Sequence, residues 1–207
     1  MKTKKTSDAS NQRRTNADMS LETRTRAIEA TIASLAQHGY AGTTMSGIAQ
    51  RVGVSRTALI YHFDSKHVLM TAVINTIYDE LALMYRAAAH PALTPKERVF
   101  AIFDASYKHT MSVNQVAQIE LLLAARQDPK FRIEVAPSIE ARDLGFQEAW
   151  HQLVDSLSGN RDRLDLIRDF AVSLFRGMTV CRSLGNDPAS FERQHALLRR
   201  LLIEALQ

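Results

Sequence analysis

Apolar residues recur along this chain at steps of three and four from Leu21 almost to the end, and no convincing stretch alternates with period two. That pattern predicts helices throughout. The first is expected over residues 21–37, with Ile28, Ile32 and Leu35 on one face and Gly39 as its C-terminal stop. Thr44 opens a short helix carrying Ile48, Ala49 and Val52 inward, and Gly53 ends it. Ser55 caps a second short helix carrying Leu59 and Phe63. After Asp64-Ser65 a long helix carries Leu69, Val73, Ile77, Leu81 and Met84, with Pro91 as its far limit. Thr94-Pro95-Lys96-Glu97 has the form of a capping box with proline in the first turn. Further helices are expected at about 95–111, 113–127, 137–157, 160–184 and 188–206. Asp187-Pro188 opens the last of them. Pro129 and Pro137 bracket a short irregular or one-turn segment. The fold class is all-α, with eight or nine helices.

Residues 1–19 are almost devoid of apolar side chains and are expected to form a disordered basic arm. Charge sharpens this picture. The net charge of +4 is unevenly spread: residues 1–66 hold ten Lys and Arg against five acids, and the rest of the chain holds 16 against 17. The positive excess therefore sits in the N-terminal third, as a polyanion partner requires. No apolar run reaches about 18 residues, so no membrane span is expected, and the basic start is followed by no apolar signal segment. The lone Cys181 suits packing in a reducing compartment, and a cytoplasmic location is expected.

The chemistry lies in Thr43–Lys66, TTMSGIAQRVGVSRTALIYHFDSK. Two short helices meet at Val52-Gly53-Val54, where glycine supplies the positive φ of a tight turn. Ile48, Val52, Val54 and Leu59 face inward and fix the crossing. This is the layout of a helix-turn-helix, spanning about 44–63, whose second helix enters the DNA major groove. Ser55, Arg56 and Thr57 stand at the tip of that helix, where base edges are read. Arginine matches guanine bidentately, and threonine meets a thymine methyl. Thr44, Tyr61, His62 and Lys66 are candidates for phosphate contacts that set register. The plain alternative is a helical hairpin with a solvated polar face. The basic residues at 2–14 admit two readings, contacts in an adjacent minor groove or nonspecific attraction.

These residues resemble the TetR/AcrR family of regulators over about Arg24 to Val73. The resemblance rests on His38-Gly39-Tyr40, Thr43-Thr44, Ile48-Ala49, Gly53-Val54-Ser55, Leu59, His62-Phe63, Ser65-Lys66 and Leu69…Ala72-Val73. It implies a three-helix DNA-binding head at 20–67, and a helical ligand-binding and dimerisation body at 68–207. It also implies repression of a palindromic operator, relieved by a small molecule. The chain departs from the family pattern in three places. Ile60 stands where a tyrosine is usual, so that tyrosine's phosphate contact is lost or passes to Tyr61. Thr57 replaces a common Gly or Pro, and Leu35 replaces a usual aromatic.

In the body, a pocket is expected among helices four to eight. Its candidate lining is Tyr78, Tyr85, Phe103, Tyr107, Phe146, Trp150, Phe175 and Met178, together with Glu120 and Arg176, polar groups set inside apolar runs. Glu120 and Arg176 either bind a ligand or satisfy each other. Leu164, Ile167, Ala171, Leu174 and Met178, with Leu197, Leu198, Leu201, Leu202 and Ala205, form two apolar stripes. The resemblance assigns their helices to a homodimer; the bland reading assigns them to the protomer core. The partners expected are double-stranded DNA, an unidentified effector and a second copy. No cofactor, metal or catalytic residue is called for.

The enzyme rival is a di-iron helical bundle. Glu148-x-x-His151 and Glu192-x-x-His195 have ligand spacing, with Glu80, Glu97 and Glu120 as the further carboxylates. A third reading keeps the fold and drops the inducer, giving an architectural DNA-binding protein. Activation in place of repression is also compatible with the sequence.

Overall fold

The computed structural model describes the backbone of residues 5–157, 160–185 and 187–207, with side chains from Asp18 onward. Among the described residues there are helices and no strand. They are α1 (Lys5–Gly42), α2 (Met45–Val52), α3 (Arg56–His62), α4 (Lys66–Ala88), α5 (Pro95–Thr110), α6 (Val113–Gln127), α7 (Pro129–Val154), α8 (Arg161–Ser183) and α9 (Pro188–Ala205). The chain divides into two compact units, Met1–Val73 and Ile74–Gln207, called here the head and the body. The division falls inside α4, a few residues past the boundary expected at 67/68.

Local chemistry starts the helices where the sequence indicates. Thr94 and Glu97 form a reciprocal capping box over Pro95, and Ser112, Asn160 and Asp187 each accept an N–H from the first turn of α6, α8 and α9. Two elements differ from expectation. α1 is drawn from Lys5, well before residue 21, so its helical backbone covers most of the expected disordered arm. The polar stretch before Leu21 carries no apolar stripe, and periodicity has nothing there to detect. Residues 1–4, and the side chains of residues 5–17, lie outside the described residues. At its other end α1 leaves helical geometry at Gly39, with φ 68°, where the glycine stop was expected.

The second difference is α7. It begins at Pro129 and runs through Pro137 without the expected break. Asp128 accepts the N–H groups of Lys130 and Phe131, and Phe131 and Val135 are fully buried. That capped, anchored first stretch holds a helix that a proline alone would interrupt.

The head core gathers Ala27, Ile32 and Leu35 of α1, Ile48 and Val52 of α2, Leu59 and Phe63, and Leu69, Met70 and Val73 of α4. α4 is long and apolar enough to cross a membrane by length and composition, but Leu69, Met70, Val73, Ile74, Ile77 and Leu81 of that helix are buried in the protein. The body core joins α5, α7, α8 and α9 through Val99, Phe103, Trp150, Leu164, Phe175, Phe191, Leu198 and Leu202.

Here the apolar stripes read from the sequence change meaning. Leu164, Ile167, Ala171, Met178, Leu198, Leu202 and Ala205 are buried inside the protomer, with Leu174 and Leu201 packed against them. Apart from Val172, the apolar side chains left exposed along α8 and at its C-terminal end lie on another face. Leu166, Phe170, Val180 and Leu184 are exposed, with Ser173 and Gly177 exposed between them. These six positions step by four and three in turn, the spacing of a coiled-coil seam. α9 leaves Leu197 and Ile203 exposed.

Candidate nucleic-acid interface and body cavity

The head presents α3 through a chain of backbone-directed bonds. Gly53, at φ 75° and ψ 32°, is left-handed and sends its N–H back to the carbonyls of Ala49 and Gln50. Thr44 Oγ1 accepts the Gly47 N–H at 3.1 Å, and Ser55 Oγ accepts the Ala58 N–H at 3.0 Å. Both hydroxyls are therefore helix caps. Thr43 is buried, its hydroxyl 2.8 Å from the Gly39 carbonyl and 3.1 Å from the Ser34 hydroxyl, which secures the bend between α1 and α2.

With Leu59 and Phe63 facing the core, α3 turns Arg56, Thr57, Ile60 and Tyr61 outward. Tyr61 is 83% exposed. Among the described residues, no hydrogen bond occupies the Arg56, Thr57 or Tyr61 side chain. His62 is half-buried, with its ring edge-on to that of Tyr61 at 5.6 Å. The face combines a planar cation, a hydroxyl, a phenol and an apolar side chain.

Three other cations work inside the head. Arg26 donates to the carbonyl of Val52, the last residue of α2, at 2.7 Å. Arg24 donates to the carbonyl of His62, the last residue of α3, at 3.3 Å, and its guanidinium lies 4.5 Å from the Phe63 ring centroid. Each guanidinium thus meets the negative end of a helix and an unsatisfied carbonyl together. Lys66 donates to the Tyr40 carbonyl at 2.7 Å and lies 3.9 Å above the Tyr40 ring. Sequence reading counted Arg24 and Arg26 only as charge, although two arginines on the helix facing a helix-turn-helix are a signal for such tethers. It assigned Lys66 to phosphate, and the structure gives Lys66 an intramolecular role at the start of α4.

The body holds a half-open cavity of about 1020 Å³ among α4, α5, α6, α7 and α8. Tyr78, Tyr85, Phe103 and Phe146 line it, as do Trp150, Phe175 and Arg176. Three expected lining residues lie elsewhere. Tyr107 stacks on His195 at 4.2 Å, Met178 is buried in the core, and Glu120 is off the cavity wall. The polar groups that α6 supplies are Gln115 and Gln118, and the carboxyl that feels Arg176 is Asp143 of α7. Periodicity shows which residues share a helix face. It does not show where five faces leave a gap.

Burial shapes the titration of this wall. The Tyr78 phenol is pushed up to about 12, chiefly by desolvation and then by the Asp143 carboxylate. Tyr85 is raised by burial, and its hydroxyl lies 3.0 Å from that of Ser106. Asp143 is raised by burial, against the opposing pull of Arg176 and the Tyr78 hydroxyl. His109 is held below its usual value by burial.

The two Glu-x-x-His pairs do not converge. His151 Nε2 lies 3.6 Å from Asp165, and His195 Nε2 lies 3.1 Å from Asp104. Among the described residues, no group of three or more His, Cys, Asp or Glu side chains is placed to hold a metal ion.

Residues 27–73 match the family model described as bacterial regulatory proteins of the tetR family. That stretch is a head of TetR type. The matched stretch is the head, and likeness to whole regulators extends through the body. The chain is 26% identical over 181 residues to the HTH-type transcriptional regulator CymR of Pseudomonas putida, covering 87% of this chain and 89% of that one. It is 28% identical over 175 residues to the regulator BetI of Rhizobium meliloti, covering 82% of each. Among solved structures, a transcriptional regulator of Rhodococcus sp. Rha1 shares the fold at TM-score 0.71 and 18% identity, over 89% of this chain and 96% of that one. The regulator KstR2 of Mycobacterium tuberculosis does so at TM-score 0.65 and 23% identity, over 89% and 95%. Over most of its length the chain is therefore similar to transcriptional regulators of the helix-turn-helix type.

Proposed function

We propose that the protein is a homodimeric repressor that holds a palindromic operator through α3 and lets go when a small molecule enters the body. The observation that carries this reading is the aromatic-lined cavity of about 1020 Å³ in a chain that also bears a DNA-reading head. A cavity of this size, with a few convergent polar groups, has the character of a ligand site. Arg56 and Thr57 read base edges, with Tyr61 and His62 on the phosphates.

The dimer supplies the geometry that one head lacks. Two recognition helices meet half-sites roughly 34 Å apart when a two-fold axis relates them. The exposed seam on α8, flanked by Leu197 and Ile203 of α9, supports pairing with a second copy through the last two long helices. Ligand then favours a state whose heads no longer match the half-site spacing. Binding of ligand and of operator oppose each other reciprocally, with a coupling of about 1–3 kcal/mol or more.

The test is a gel shift on the DNA flanking the protein's own gene, with and without candidate metabolites. Retarded DNA that is freed by one compound class is the expected result. Retention that no compound relieves favours the architectural reading, and a ligand that strengthens binding favours a co-repressor or activator.

A further inference from the structure

The body cavity carries an uneven charge. Five arginines and two aspartates line it, and neither a lysine nor a glutamate does. Three of those arginines are committed. Arg142 pairs with Asp79 and Arg168 with Asp169, while Arg98 donates to the carbonyls of Leu93 and Pro91. Arg86 and Arg176 have no hydrogen bond or ion pair among the described residues. Of these two, Arg176 acts on the aromatic corner. Its charge pulls against the burial that raises Tyr78, Tyr85 and Asp143. Asp143 is engaged by the Tyr78 hydroxyl, 3.3 Å away, and no carboxylate lies in bonding distance of Arg176.

Beside this cation the rings make a slot. Phe146 stacks on Tyr78 at 6.1 Å and meets Tyr85 edge-on at 5.4 Å, and Phe103 lies 5.9 Å from Trp150. A planar fork of donors beside apolar ring faces suits one ligand shape, a flat or cyclic apolar body ending in two equivalent oxygens. A cationic ligand would meet the net positive wall, and a neutral one would gain no charge-assisted bond from the solvent-exposed guanidinium.

We propose that the cavity takes a monoanionic organic acid, with its carboxylate on Arg176 and an aromatic or alicyclic body against Phe146 and Trp150. This inference rests on the reading of the cavity as an effector site and adds the chemical class. Gln115 and Gln118 stand on the same wall and supply further hydrogen bonds to a substituted acid.

Trp150 is the protein's one tryptophan and lines the cavity, so its emission reports binding without any DNA present. The probes are 4-phenylbutyrate, its primary amide and 4-phenylbutylamine, titrated into the full-length protein. The acid is expected to bind at least tenfold more tightly than the amide, and the amine most weakly. Arg176→Gln removes the preference for acid over amide, Arg176→Lys keeps part of it, and Arg86→Gln leaves it intact. Each variant is checked for an unchanged unfolding midpoint. The inference is overturned if amide or amine binds as tightly as the acid, if Arg176→Gln keeps the preference, or if none of the three perturbs Trp150 up to millimolar concentration. A gel shift in the same buffer separates the two levels. Acid binding that leaves DNA retained sustains the ligand class and counts against release, whereas release by compounds with no acid preference does the reverse.

Discussion

The head and the body solve opposite problems. The head must hold a short helix rigidly while leaving its outer face unoccupied. It does so with backbone-directed fastenings: caps from Thr44 and Ser55, a left-handed Gly53, and Arg24, Arg26 and Lys66 tied to carbonyls. The body must keep an opening inside a packed helical bundle. It does so by spreading the wall over five helices, where large rings keep each other apart and polar groups bond along the wall. The contrast shows where function is cheap to encode. A reading helix requires a few residues at fixed spacing, while a cavity requires the sum of many packing choices.

The strongest way to break this contrast is to empty the head core. Leu59 and Phe63 are both fully buried. Phe63→Ala is expected to cost about 3–5 kcal/mol and to abolish binding to every duplex, while the body keeps its helical signal and Trp150 environment. Urea unfolding followed by circular dichroism and by Trp150 emission measures both. Coincident loss of the two signals would show that the units do not stand apart energetically.

Next in size is the seam on α8. Phe170→Glu places a charge on a face that is exposed in the protomer, so folding survives while dimer dissociation rises roughly 100-fold or more. Sedimentation across a concentration series reads this directly. An unchanged mass would move the interface off α8.

The reading face comes third. Arg56→Ala and Thr57→Ala are expected to relax base preference by about 1–3 kcal/mol at the affected position. Equal loss on selected and random DNA rejects base reading. Lys66→Ala separates two roles: loss of the Tyr40 tether lowers head stability by about 1–2 kcal/mol, and loss of a phosphate contact lowers the salt slope by about one. Lower stability with an unaltered slope assigns the residue to fastening alone.

The smallest effect is a pH dependence in the body. Burial holds the His109 imidazole below 6.5, so folding favours the neutral ring. The stability this gives is present above the unfolded value and is lost as pH falls through the lowered folded value. His109→Gln should flatten the acid limb of the stability profile and leave it unaltered above pH 7. Thermal midpoints between pH 5 and 8 measure the difference.

Much of this molecule was legible as text. Helix starts at Thr94-Pro95 and Asp187-Pro188, the turn at Gly53 and the outward set Arg56, Thr57 and Tyr61 follow from caps, φ preferences and a 3.6-residue period. Those forces act within a few residues, so the order of letters carries them. The continuation of α7 through Pro137 was not legible, because burial of Phe131 and Val135 outweighs a local preference. The sequence by itself determined the helical class, the resemblance of the head to TetR regulators and the outward face of α3. Only the tertiary structure decided that Leu164, Met178 and Leu198 belong to the protomer core while Leu166 and Phe170 stay outside. It alone decided that Lys66 holds Tyr40, and that Arg176 stands in an aromatic corner without a carboxylate partner. Those outcomes depend on which helices meet, and residues far apart in the chain have no shared period to announce it.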